Sequence, residues 1–161
     1  MESNEIELLE YLSQWEFTFG ILDSDSQRLI EITILNTDNT QTTQIMKLGD
    51  IMYFTEYGTV TIPGKYILEK SLTLLNPVMD KKIGEIVEDI LEERADRKTI
   101  EKDLKKLAFR LETILRNYIV GLVDKTNKIG SILYQDKDDN RYLYSLEKLS
   151  KYIKCEARFK N

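Results

Sequence analysis

The sequence predicts an α+β fold. A mixed, mainly antiparallel sheet is built from both ends of the chain, and a central hairpin of long helices packs on one of its faces. Three observations carry this. Segments near both termini alternate apolar with polar residues, the period of a half-buried strand. Between them, Ile83 to Leu91 and Ile100 to Leu122 each keep their apolar residues at helical spacing. And 161 residues suit a single domain over 1–161, long enough to bury roughly 70% of its unfolded surface without staples.

Taken in order, Asn4 is placed to cap a short helix over Glu5 to Leu12, with Ile6, Leu9 and Leu12 apolar. "WEFTFGIL" sets Trp15, Phe17, Phe19 and Ile21 against Glu16 and Thr18, a strand with an aromatic face. "DSDSQ" reads as a turn and "RLIEITILN" as a second strand, so the two are expected to pair as a hairpin. Thr37 to Gln44, "TDNTQTTQ", has no apolar residue to anchor it and reads as a polar, mobile loop. It is either a solvated connection or a loop that orders against a neighbouring subunit, through Asp38, Asn39, Thr40, Gln41, Thr42 and Thr43.

"LGDIMYFTEYG" is apolar and aromatic enough for a short buried helix, and Gly58 is its stop. "TVTI" reads as extended, which also suits Ile62 before Pro63. A helix is expected after Gly64, with Ile67, Leu68 and Leu72 on one face. Asn76-Pro77 has the form of a fresh helix start, followed by a stripe of Ile83, Ile86, Val87, Ile90 and Leu91. "ERADRK" breaks that stripe. Thr99 is read as the cap of the longest element, whose apolar face runs from Ile100 through Leu107 and Leu111 to Leu122, about 25 residues or roughly 37 Å. "ILYQ", "DKDDN" and "RYLYS" read as strand, turn and strand. "KYIKCEARFK" alternates Ile153, Cys155, Ala157 and Phe159 with Lys154, Glu156 and Arg158, a closing strand.

The net charge of −5 is unevenly spread. Residues 1–78 carry twelve acidic and four basic side chains, and residues 97–116 carry seven basic and three acidic. An acidic front and a basic back can pair between copies, head to tail. The acidic total argues against direct nucleic-acid binding. No apolar run approaches the ~20 residues of a membrane span, and the acidic start is unlike a signal peptide. One cysteine, Cys155, cannot form an intrachain disulfide.

Histidine is absent, which removes the usual general base, metal ligand and nucleophile partner. The remaining candidates for chemistry are weak. "DKDDNRYLYSLE" places Asp136, Asp138, Asn140 and Glu147 at calcium-loop spacing, but Arg141 stands where the loop needs glycine. An acidic hairpin turn is the better reading. Glu88, Asp89, Glu92 and Glu93 lie four apart in pairs with basic residues directly after, the pattern of a solvated helix face. Cys155 alternates with apolar residues and reads as a core position. No glycine-rich phosphate loop is present. The chain is therefore expected to be no enzyme and to use no cofactor or metal.

One stretch is unusually punctuated. In a chain with two prolines and seven glycines, Thr55 to Leu72 holds one Pro and two Gly, with Tyr57 and Tyr66 on either side. It reads as a rigid corner between two helices, serving either as a tight structural turn or as a subunit contact. Glu56, Tyr57, Gly58, Thr59, then Ile62, Pro63, Gly64, Lys65, Tyr66, Ile67 and Leu68 resemble a signature of the tail-component proteins of long-tailed phages and prophages. These are the tail-completion or neck proteins, related to the Mu-type virion morphogenesis proteins. There a buried helix ends in E-F-G-T and is followed by I-P-A-R-P-F-L. "TFGILDSD" is similar to the family's V-G-I strand and turn, and Leu143, Leu149 and Ile153 match its closing segment. The family's second Pro, its Arg and its C-terminal Thr-Gly are missing here.

The resemblance implies a structural virion or phage-tail-like particle component at the head–tail neck, acting in tail completion or as a terminator or connector. It implies a homo-oligomeric ring, a hexamer in the family, with adjacent neck, connector or tail-tube proteins as partners. The chain would reside in the particle, and in the host cytoplasm during assembly. The alternative expectation is a small soluble phage- or prophage-encoded protein that binds and inhibits a host protein.

Overall fold

The structure, a computed structural model, describes residues 3–123 and 130–160. Its elements are α1 (Ser3–Ser13), β1 (Trp15–Gly20), α2 (Asp23–Ser26), β2 (Leu29–Leu35), β3 (Gln41–Lys47), α3 (Leu48–Tyr57), α4 (Ile67–Leu91), α5 (Arg97–Gly121), β4 (Ser131–Gln135), β5 (Arg141–Tyr144), α6 (Leu146–Ser150) and β6 (Lys154–Phe159). The class is α+β, with α4 and α5 as the expected helical hairpin. The strands form two antiparallel sheets rather than one, β1-β6 and β3-β2-β5-β4. Each sheet joins strands from the two halves of the chain. None of the helices among the described residues is long and apolar enough to cross a membrane.

The chain divides into two compact units, each assembled from distant segments. The first comprises the chain up to Phe19, Leu72–Leu115 and everything from Lys154. The second comprises Gly20–Ser71 and Arg116–Ile153. In the first unit the two-stranded sheet covers the helical hairpin. Leu8, Leu12, Ile86, Ile90, Ile100 and Leu104 form one buried cluster, with Trp15 and Phe17 against it. Leu75, Leu107, Ala108, Leu111 and Cys155 form another, with Phe17, Phe19 and Ala157 packed on it. Both predicted strand faces therefore point at helices. In the second unit α3 packs against β3, β4 and α2.

Several local expectations change. The first two strands do not pair with each other. Asp23–Ser26 makes a one-turn helix, where a tight hairpin turn was expected, so β1 is free to take β6 as partner. β2 pairs with β3 from Leu29↔Lys47 to Leu35↔Gln41 without a shift. Thr37 to Gln44 is thus no long loop: Asn36 to Thr40 makes a tight turn, and Gln41, Thr42 and Thr43 are strand residues. A threonine-rich strand exposed at every residue but Met46 satisfies its backbone by pairing, without apolar alternation.

α4 does not restart at Asn76-Pro77 but runs through it. Both residues lie on the exposed side of the helix, where the proline ring costs no core packing. Asp96, not Thr99, caps α5. Its carboxylate accepts the Thr99 N–H at 2.8 Å, and Thr99 Oγ1 accepts the Asp96 N–H at 3.0 Å, a reciprocal capping box. α1 begins at Ser3, so Asn4 lies inside it, and Leu8 with Leu12 is buried while Ile6 stays exposed. α6 was not anticipated. Ser145 caps it by accepting the Lys148 N–H.

Candidate assembly site

The punctuated corner lies in the second unit, between α3 and α4. α3 ends where Gly58 takes φ +85°, a conformation in which only glycine is unstrained. Gly58 and Pro63 form an isolated antiparallel bridge. The residues between them fold back as a tight loop, not the extended run expected: the Thr59 N–H donates to the Ile62 carbonyl at 2.8 Å. The Ile62 N–H donates to Thr59 Oγ1 at 3.2 Å. Gly64 is demanded by proximity. A Cβ there would stand 2.5 Å from the Glu56 carbonyl oxygen, and one on Gly58 would stand 2.4 Å from the Gly64 nitrogen. The two glycines let backbone cross backbone.

Glu56 joins the two helices. Its side chain is buried, and its carboxylate accepts the backbone N–H of Leu68 at 2.8 Å and of Glu69 at 3.1 Å. These are orphan donors at the start of α4, where the helix dipole favours an anion. The main chain adds Lys65 N–H to the Thr55 carbonyl at 2.8 Å and Tyr66 N–H to the Glu56 carbonyl at 3.0 Å. Tyr66 itself sits at φ +49°. A bulky residue in that region is strained and is kept there by its surroundings.

This rigid frame displays aromatic rings. Tyr57 is 60% exposed, Tyr53 58% and Tyr66 40%. The rings of Tyr53 and Tyr57 lie 5.0 Å apart between centroids, and Tyr57 meets Tyr66 edge-on at 6.4 Å. Val60 projects from the loop tip with no cover at all. Thr61 pins that loop to β4: its hydroxyl donates to the Gln135 carbonyl at 3.0 Å and accepts the Gln135 N–H at 3.2 Å. Beside Val60 opens an apolar groove of about 470 Å³ lined by Met46, Phe54, Leu133, Tyr134 and Tyr142, with Gln44 and Thr59 at its edge. The corner residues expected from sequence therefore come together. Tyr53 and Val60 were missed. The i, i+4 spacing of Tyr53 and Tyr57 was the available signal.

The predicted interface loop is elsewhere and is built differently. Asp38 Oδ1 accepts both the N–H and the hydroxyl of Thr40, and the Thr40 hydroxyl, then its N–H, hold the Asp38 carboxyl below its usual range. Asn39 takes the left-handed conformation at φ +69°. The Thr37 N–H reaches Asn140 Oδ1 at 3.3 Å, tying this turn to the β4–β5 turn. Gln41, Thr42 and Thr43 are exposed on β3, an outer strand of the four-stranded sheet. Asp136, the first residue of the calcium-like run, is engaged by the turn itself, accepting from the N–H groups of Asp138 and Asn140. Asp89 and Glu92 are both bridged by Arg94, and Cys155 is buried.

Comparison with protein-family models, with curated proteins and with solved structures finds no match to this chain. The site therefore stands on its own geometry. It offers a preorganised, solvent-facing aromatic patch on a backbone corner that cannot easily move.

Proposed function

We propose that this chain is a structural component of a virion or phage-tail-like particle, acting at the head–tail neck as a ring of identical copies. The observation that carries the reading is the corner at Glu56–Tyr66. Its sequence resembles the neck-protein signature, and its frame spends two obligatory glycines, a proline, a buried carboxylate and a strained tyrosine on displaying Tyr53, Tyr57, Tyr66 and Val60 to solvent. Tyrosines carried on a fixed backbone need no main-chain ordering on binding, and tyrosine is enriched at interaction hot spots. The corner docks on a neighbouring copy or on the adjoining neck, connector or tail-tube protein, and no catalytic step is involved.

The test is to purify particles from the producing cells carrying either the native chain or the Tyr53→Ala, Tyr57→Ala, Val60→Ser triple variant. All three positions are exposed, so the variant keeps its fold by circular dichroism. The reading expects the native chain in the particles and at least about a tenfold loss of the variant, as hot-spot truncation implies. A chain that is absent from particles and instead co-purifies with one host protein supports the inhibitor reading.

A further inference from the structure

We propose that a basic stripe on α5 docks on the acidic face of α1 of a second copy of this chain. Lys98, Lys102, Lys105, Lys106 and Phe109 are all exposed, and their spacing places them along one side of the helix. Phe109 is 70% exposed, the most open aromatic side chain among those described. Lys105 is bridged to Glu101 at 2.8 Å. Among the described residues no carboxylate lies within ion-pair distance of Lys102 or Lys106. An exposed phenylalanine at the end of a row of lysines sets an apolar contact beside charged ones, the mixture that interfaces use.

α1 is its complement. Its charged residues are Glu5, Glu7 and Glu10, with no basic residue in the helix. Glu7 and Glu10 are exposed together with Ile6, which is 45% open. The helix is 11 residues long, so its face is about 16 Å in length, and the stripe from Lys98 to Phe109 is about as long. With Ile6 over Phe109 and the helices antiparallel, Glu10, four residues on, comes level with Lys105 and Lys106, four and three residues before Phe109.

Charge bookkeeping favours a second copy over a nucleic acid. α5 carries seven basic and three acidic side chains in a chain of net charge −5, so the remainder stands at −9. A polyanion approaching the stripe is repelled by that remainder. A second copy presents it as an attractive surface. The proposal does not rest on the neck reading, because the contact serves a dimer as well as a ring.

Sedimentation velocity on the full chain tests it with two variants. One carries Lys98→Glu, Lys102→Glu and Lys106→Glu; the other carries Glu7→Lys and Glu10→Lys. The altered residues are exposed, and thermal melts check that each variant folds. The native chain is expected to self-associate, with affinity weakened at least about tenfold between about 50 mM and about 500 mM salt. Each variant alone should lose association by a similar factor. Their equimolar mixture should regain it, since the reversed helix of each then faces an opposite charge on the other. A native chain that stays monomeric, an association indifferent to salt, or a mixture that stays dissociated overturns the contact. So does a monomer that binds a single-stranded oligonucleotide through these lysines. A salt-indifferent ring overturns the contact and leaves the neck reading standing. A salt-sensitive two-copy species supports the contact and counts against the ring.

Discussion

Replacing Glu56 by alanine would leave the N–H groups of Leu68 and Glu69 without the carboxylate that accepts from both. Hydrogen bonds to a charged group contribute about 1.5–3 kcal/mol, so urea unfolding of Glu56→Ala should shift to a lower midpoint by a loss in that range. A loss under about 0.5 kcal/mol would show that the carboxylate is not what caps α4. Gly58→Ala and Gly64→Ala should each destabilise, because the new Cβ meets backbone atoms that cannot rotate away. Burial, and then the nearby Glu112, push the Cys155 thiol up to about 12. The native protein should therefore resist alkylation at pH 8, and labelling should appear only on unfolding; rapid labelling of native protein would contradict this burial. The glycines and Pro63 were legible as a corner because their conformational demands are local. The role of Glu56 was not, since its partners lie 12 and 13 residues further along the chain.

The long helix with the strongest period was read correctly, and a strand whose support is tertiary was not. The apolar stripe of α5 is buried at Leu104, Leu107, Leu111 and Leu115. Leu111, with no exposed surface, should cost about 2–5 kcal/mol as Leu111→Ala. A loss below about 0.5 kcal/mol would mean that the stripe is not core. β3 escaped because Gln41 to Gln44 has no apolar alternation, and its strand character comes from pairing with β2. Deleting Asp38 to Thr43 removes the pairs Thr33↔Thr43, Ile34↔Thr42 and Leu35↔Gln41. At about 0.2–1 kcal/mol per side-chain pair, together with the lost backbone bonds, the deletion should destabilise by about 1–3 kcal/mol. An unchanged melting curve would mean that these residues act as a loop after all. Pro77 misled because a proline after asparagine usually opens a helix. Here the inward-facing side of the helix continues beneath it, through buried Ser71 and Leu75 to half-buried Val78 and Met79.

At the scale of the molecule, the helical hairpin and the joining of strands from both chain halves were legible, because the two ends alternate and the centre does not. The division into two sheets was not, since alternation identifies a strand without naming its partner. Both candidate surfaces face solvent, the tyrosine corner in one unit and the charged helices in the other. The most direct test of the neck assignment is electron microscopy of particles purified from the producing cells, with this chain carrying a label at its C-terminus. Label is expected in a ring at the head-proximal end of the tail, in several copies per particle. Particles with normal tails and no label at that position would contradict it.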